Sequence, residues 1–166
     1  SASGKTVFAR DVVKLLRARG RAASVVSLDA FLRPSATLGT AAPARDDDHL
    51  VHAWDLETLE TAVLEPRRRG TATRAGSWGT SVARDEVLVL EGLFLADPRL
   101  RASLDGLVRL EVSEELSLAR SAAREGGEAA LARVRRDFLP TQRAFDERFP
   151  AASGELCLDA ANPLGG

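Results

Sequence analysis

The residues with the clearest chemistry open the chain: Ser1-Ala2-Ser3-Gly4-Lys5-Thr6. They match the last part of the pattern G-x-x-x-x-G-K-[ST], in which backbone N–H groups and a helix start surround phosphate oxygens. There the lysine reaches the β and γ oxygens and the threonine hydroxyl binds Mg²⁺. Ser1, Ala2, Ser3, Gly4, Lys5, Thr6 and Val7 are therefore expected to cradle a nucleotide, with Thr6 also a metal ligand. Of 23 basic residues only Lys5 and Lys14 are lysine, so the motif lysine stands out against an arginine background. The alternative is a chance tetrapeptide capping a surface helix. The first glycine of the pattern and the strand expected to carry it are not in the sequence, which reads as a fragment lacking that strand.

Two carboxylates suit the same chemistry. Asp29 ends the short apolar run Ala23 to Leu28, and Glu91 follows the apolar strand Glu86 to Leu90. Runs of this kind read as buried parallel strands, and ligands of open α/β sheets bind at strand C-terminal ends. A nucleoside triphosphate with Mg²⁺ needs a carboxylate near the metal, and its γ-phosphoryl group needs an oriented acceptor. Glu91 is assigned to the metal, through water, and Asp29 to the attacking hydroxyl. Read without a ligand, Glu91 is a strand-end cap and Asp29 a turn former.

The elements that must position these groups alternate. From Lys5 to Arg19, Phe8, Val12, Leu15 and Leu16 keep helical spacing and Gly20 stops the helix. Residues 33 to 50 read as a long loop. Asp55 caps a helix carrying Leu56, Leu59, Val63 and Leu64 that is expected to end near Pro66, with Arg67 to Arg69 as its solvated end. Residues 71 to 85 read as loop. A strand from Leu107 to Val112 leads into a helix from Ser113 to about Arg124. A second arginine-rich helix starts near Glu128, is interrupted near Pro140 and resumes to Arg148, and a last strand spans Glu155 to Asp159. The expectation is an α/β fold of the P-loop NTPase type, a parallel sheet sandwiched by helices, in one domain over residues 1–166.

Composition agrees. The chain has 166 residues, is 45% apolar and 28% charged, and carries a net charge of −1, which gives no global field for a polyanion. A small molecule is the expected partner, with no nucleic acid and no membrane. The lone cysteine, Cys157, lies in an apolar alternation and is expected to be buried. With no apolar run near 18 residues, cytoplasm is the default.

Taken in order, S-x-S-G-K-T, then S-L-D-A-F-L-R-P at 27 to 34, V-L-V-L-E-G-L-F-L at 87 to 95 and R-D-F-L-P-T-Q-R at 136 to 143 resemble the uridine kinase branch of the uridine kinase and phosphoribulokinase family. The resemblance covers nearly the whole chain. It implies that Asp29 activates the acceptor hydroxyl, that Thr6 and Glu91 hold Mg²⁺, and that Lys5 bridges the phosphates. It further implies a helical lid over about 113–148 whose Arg120 and Arg124 close over the phosphates. The other reading of that pair is salt-linked arginines on an exposed helix. Asp48 and His49 resemble the Asp-His-Pro that contacts substrate hydroxyls, although Leu50 replaces the proline. By the same likeness the missing strand is central, so residues 1–166 alone are expected to be poorly soluble or partly folded.

Departures from the family concern the acceptor. Leu32 stands where uridine kinases have tyrosine, and the chain has no tyrosine with which to read a pyrimidine. A site without those donors has a different or less selective pocket. Trp78 offers a stacking surface there, or anchors the core or a loop. The sequence thus points to an ATP- and Mg²⁺-dependent small-molecule kinase. Its alternatives are a nucleotide-binding accessory domain without turnover and an NTPase that drives a partner.

Overall fold

The computed structural model describes residues 3–33, 54–75, 80–125 and 128–161. These residues fold as two compact units. One is built from the described residues of Thr6–Leu38 and Asp48–Leu93, the other from those of Ser1–Lys5 and Phe94–Gly166.

In the first unit, helix α1 (Lys5–Ala18) leads into strand β1 (Ala23–Ser27). Its buried residues are Ala9 and Val13, while Phe8, Val12 and Leu16 are half-buried and Leu15 is exposed. The buried stripe thus centres one residue beyond the expected one. Strands β2 (Thr73–Ala75) and β3 (Thr80–Val82) form an antiparallel pair within the stretch expected to be loop. Strand β4 (Val87–Glu91) runs parallel to β1, with Ala23 opposite Val87 and Ser27 opposite Glu91. Parallel strands need a crossover, here the chain from Leu28 to Glu86, which carries the expected second helix.

That helix starts at Leu56, where the Asp55 carboxylate accepts from the Thr58 N–H at 3.1 Å and the Thr58 hydroxyl at 2.7 Å. These bonds, the hydroxyl first, hold Asp55 below its ordinary pKa. The helix ends at Arg68, within the basic run where its end was expected. It passes through a π turn, Glu60–Leu64, and continues over Glu65–Arg68. Proline has no N–H to give and crowds the preceding turn, and the wider π turn accommodates it. The same device recurs in the second unit, where the π turn Val134–Phe138 ends two residues before Pro140.

The second unit holds strands β5 (Val108–Glu111) and β6 (Leu156–Asp159), again parallel, with Val108 opposite Leu156 and Glu111 opposite Asp159. Helices span Pro98–Arg101, Glu114–Glu125, Glu128–Arg133 and Leu139–Arg148. The segment expected as a lid is therefore helical across most of its described residues. Glu155, with a side chain only 3% exposed, takes Arg109 Nε at 2.9 Å and Arg101 Nε at 3.4 Å. The Arg109 guanidinium beside it is the main reason its carboxyl lies below the usual range. Arg109 also donates to the Phe149 carbonyl at 2.7 Å, tying the Leu139–Arg148 helix end to β5. Phe145 packs edge-on against Phe94 and tilted against Phe149, at centroid distances of 4.7 and 4.8 Å.

Cys157 corrects the sequence expectation. It is exposed, as are Leu156 and Asp159 beside it. Among the described residues β6 has one strand neighbour, β5, so its alternation does not mark a covered face.

Candidate functional site

Gly4 stands immediately before α1 at φ +88°, left-handed backbone that side-chain-bearing residues rarely adopt. A Cβ there would meet nothing within 4 Å, so conformation and not space requires the glycine. Lys5 and Thr6 are the first residues of the helix, where N–H groups lack intrahelical partners and the macrodipole favours anions. Ser3 is buried and accepts a hydrogen bond from Lys5 Nζ at 3.1 Å. Thr6 is exposed, and Val7 is 62% exposed. Ser1 and Ala2 lie outside the described residues.

Asp29 sits in a 3₁₀ turn, Leu28–Phe31, directly after β1. Residues three apart eclipse in such a turn, so Leu28 and Phe31 share the buried face, at 1% and 4% exposure, and Asp29 is exposed. The chain beyond it is fixed by Trp54. Leu32 bridges Trp54, the Asp55 N–H donates to the Phe31 carbonyl at 2.7 Å, and Arg33 Nε donates to the Trp54 carbonyl at 3.3 Å. Trp54 itself is 3% exposed. Sequence reasoning did not single it out, although a tryptophan directly before a helix cap was a usable signal.

Glu91 closes β4 in register with Ser27, two residues before Asp29. It is buried at 8% exposure. Both carboxylates therefore belong to the C-terminal end of one parallel pair, as the sequence required. Among the described residues neither side chain has a hydrogen bond or ion pair.

The opposite end of the same pair is fully engaged. The Ser24 hydroxyl and the Ala83 N–H donate to the Glu86 carboxylate. The Ser24 bond is the largest cause of a pKa below the ordinary 4.5, with Arg17 and Arg67 adding charge. Arg67, expected as a solvated helix end, instead donates to the carbonyls of Ala83, Arg84 and Glu86 at 2.8, 2.9 and 2.6 Å. Its neighbours Arg68 and Arg69 do pair at the helix surface, with Glu60 and Glu65.

Arg120 and Arg124 lie on the Glu114–Glu125 helix. Arg120 Nη2 donates to the Ala160 carbonyl at 2.9 Å, a tie to the end of β6 and not a salt link. Asp48, His49 and Trp78 fall outside the described residues.

No group of three or more His, Cys, Asp or Glu among the described residues could hold a metal by itself. Mg²⁺ keeps waters and binds through one or two carboxylates plus substrate phosphates. The Thr6 hydroxyl and the Glu91 carboxylate are hard oxygen donors of the required type.

No protein-family model matches the chain, and no curated protein does. Solved structures do. One, a "putative fructose transport system kinase" from Silicibacter sp. TM1040, superposes with TM-score 0.68 at 23% identity, covering 94% of this chain and 84% of that one. Another, a "possible uridine kinase" from Bacillus stearothermophilus, gives TM-score 0.61 at 16% identity, covering 96% of this chain and 84% of that one. The chain has the fold of these P-loop kinases. No helix among the described residues is long and apolar enough to cross a membrane.

Proposed function

We propose that this P-loop kinase fold transfers the γ-phosphoryl group of ATP, with Mg²⁺, to a hydroxyl of a nucleoside or similar polar metabolite. The observation that carries the reading is the pair Asp29 and Glu91, which stand at the C-terminal end of β1 and β4 with no side-chain partner among the described residues, while Glu86 and Arg67 are bonded at the other end. The names of the two structural neighbours support phosphoryl transfer, and because they differ they support no particular acceptor.

Catalysis rests on positioning and charge stabilisation. Lys5 and the α1 N-terminus offset the charge of the β- and γ-phosphates. Thr6 and Glu91 hold Mg²⁺, which when bound neutralises charge on the transferring group. Asp29 orients the acceptor hydroxyl and takes its proton as the oxygen bonds to the γ-phosphorus. The bond from that phosphorus to the β–γ bridging oxygen breaks, and ADP leaves. Arg120 and Arg124 are assigned to the phosphoryl charge. Asp48, His49 and Trp78 are assigned to the acceptor.

The test is incubation of the full-length protein with Mg²⁺-ATP and a pooled panel of nucleosides, pantothenate, glycerate and sugar phosphates, read by mass spectrometry beside Lys5→Ala. A single phosphorylated product that vanishes in Lys5→Ala is expected. Measurable ATP binding with no product across the panel contradicts the reading and favours a nucleotide-binding accessory domain.

A further inference from the structure

Glycine occurs twice beside the proposed machinery, for opposite reasons. Gly4 is demanded by its φ and has open space around it. Gly92 has ordinary φ and no space. A Cβ built on Gly92 would overlap the Leu28 Cβ and stand 3.1 Å from its Cδ2 and 3.3 Å from its Cγ. The Cβ of Leu28 is fixed to the backbone, so no change of rotamer relieves the overlap, and Leu28 is 1% exposed with nowhere to retreat. Any side chain at 92 must therefore displace the backbone at 92, at 28, or at both. Glu91 is bonded to the first and Asp29 to the second.

We propose that the Gly92–Leu28 contact is the gauge that sets Asp29 against Glu91, making Gly92 and Leu28 positioning residues for the two carboxylates. The roles of those carboxylates rest on the kinase reading; the gauge itself rests on the packing. The ladder fixes Ser27 against Glu91, and beyond that rung the chains leave the sheet. Leu28 against Gly92 is the next contact outward. It lets the 3₁₀ turn lie directly on the β4 end, so that Leu28 and Phe31 fill the interior and Asp29 is turned out. A glycine near a strand end marks such an approach of backbone to neighbour.

The experiment compares the full-length protein with Gly92→Ala, Leu28→Ala and Gly106→Ala. Gly106 is the control, since a Cβ there meets nothing within 4 Å and its φ is ordinary. Three quantities are read: ATP affinity without Mg²⁺, the Mg²⁺ concentration that half-maximally tightens ATP binding, and kcat and KM for whichever acceptor the panel identifies. Gly92→Ala is expected to keep Mg²⁺-free ATP affinity within about 3-fold, to raise the Mg²⁺ requirement about 10-fold, and to lower kcat about 100-fold with a smaller change in KM. Leu28→Ala, which keeps the Cβ and loosens the rest, moves the same quantities in the same direction by less. Gly106→Ala changes none of them.

Unchanged Mg²⁺ requirement and kcat in Gly92→Ala overturn the proposal, as does a loss of ATP affinity equal with and without Mg²⁺. If Gly92→Ala does not fold, Leu28→Ala decides: parental Mg²⁺ dependence there overturns the gauge. If the parent phosphorylates nothing, the kinase reading has failed, and the Mg²⁺ dependence of ATP binding still tests the gauge.

Discussion

The two ends of the β1–β4 pair both carry carboxylates and treat them in opposite ways. At the N-terminal end Ser24, Glu86, Arg17 and Arg67 use their polar groups on one another and on backbone carbonyls. At the C-terminal end two carboxylates, one exposed and one buried, have no partner among the described residues. A buried carboxylate without a partner costs stability, whereas a saturated one contributes it. The contrast separates an end whose side chains tie the strands together from the end to which the proposed function assigns the ligand, the end where open α/β sheets bind ligands.

The largest effect should come from the C-terminal end. Asp29→Asn is expected to lower kcat by about 100-fold or more, with ATP affinity and thermal midpoint nearly unchanged, because it removes a general base without altering shape. Steady-state kinetics beside calorimetric ATP titration checks this, and equal loss of binding and turnover would make Asp29 structural. Glu91→Gln should act next, raising the Mg²⁺ needed for half-maximal activity about 10-fold.

The saturated end should show the reverse pattern. Arg67→Ala strips three carbonyls of their donor and is expected to cost about 2 kcal/mol in denaturant unfolding while leaving the kcat of the remaining folded protein within about 2-fold. The smallest effect is in pH. The Ser24 hydroxyl and its neighbours hold the Glu86 pKa below 4.5, so the folded state binds that proton less readily than the unfolded chain. Its stabilisation is present above pH 4.5 and is lost as pH falls through the folded value. Thermal midpoints measured downward from pH 7 should fall less steeply in Glu86→Gln than in the parent.

What the sequence revealed follows from which forces are local. β1 and β4 were legible as short runs rich in valine and leucine, and Asp29 and Glu91 as the first acidic residues that follow those apolar residues. The Asp55 cap was legible because its bond spans three residues. The β2–β3 pair was not, since Thr73–Ala75 and Thr80–Val82 are short and carry no apolar alternation. Arg67 was misread because its carbonyl partners lie 16 to 19 residues away. The helix end at Arg68 was legible from Pro66 and the basic run before Gly70, whereas the π turn leaves no mark in local pattern. Cys157 looked buried because alternation reports which residues share a face, and not whether that face is covered. Trp54 carried no chemistry of its own, and its importance lies in what it holds beside Asp29.

The most direct test of the central claim is to titrate Mg²⁺-ATP into ¹⁵N-labelled full-length protein and follow amide shifts at both ends of β1 and β4. The account predicts that Lys5, Thr6, Asp29 and Glu91 move saturably while Ser24, Arg67 and Glu86 do not. Shifts concentrated at Ser24 and Glu86, or spread equally over both ends, would contradict it.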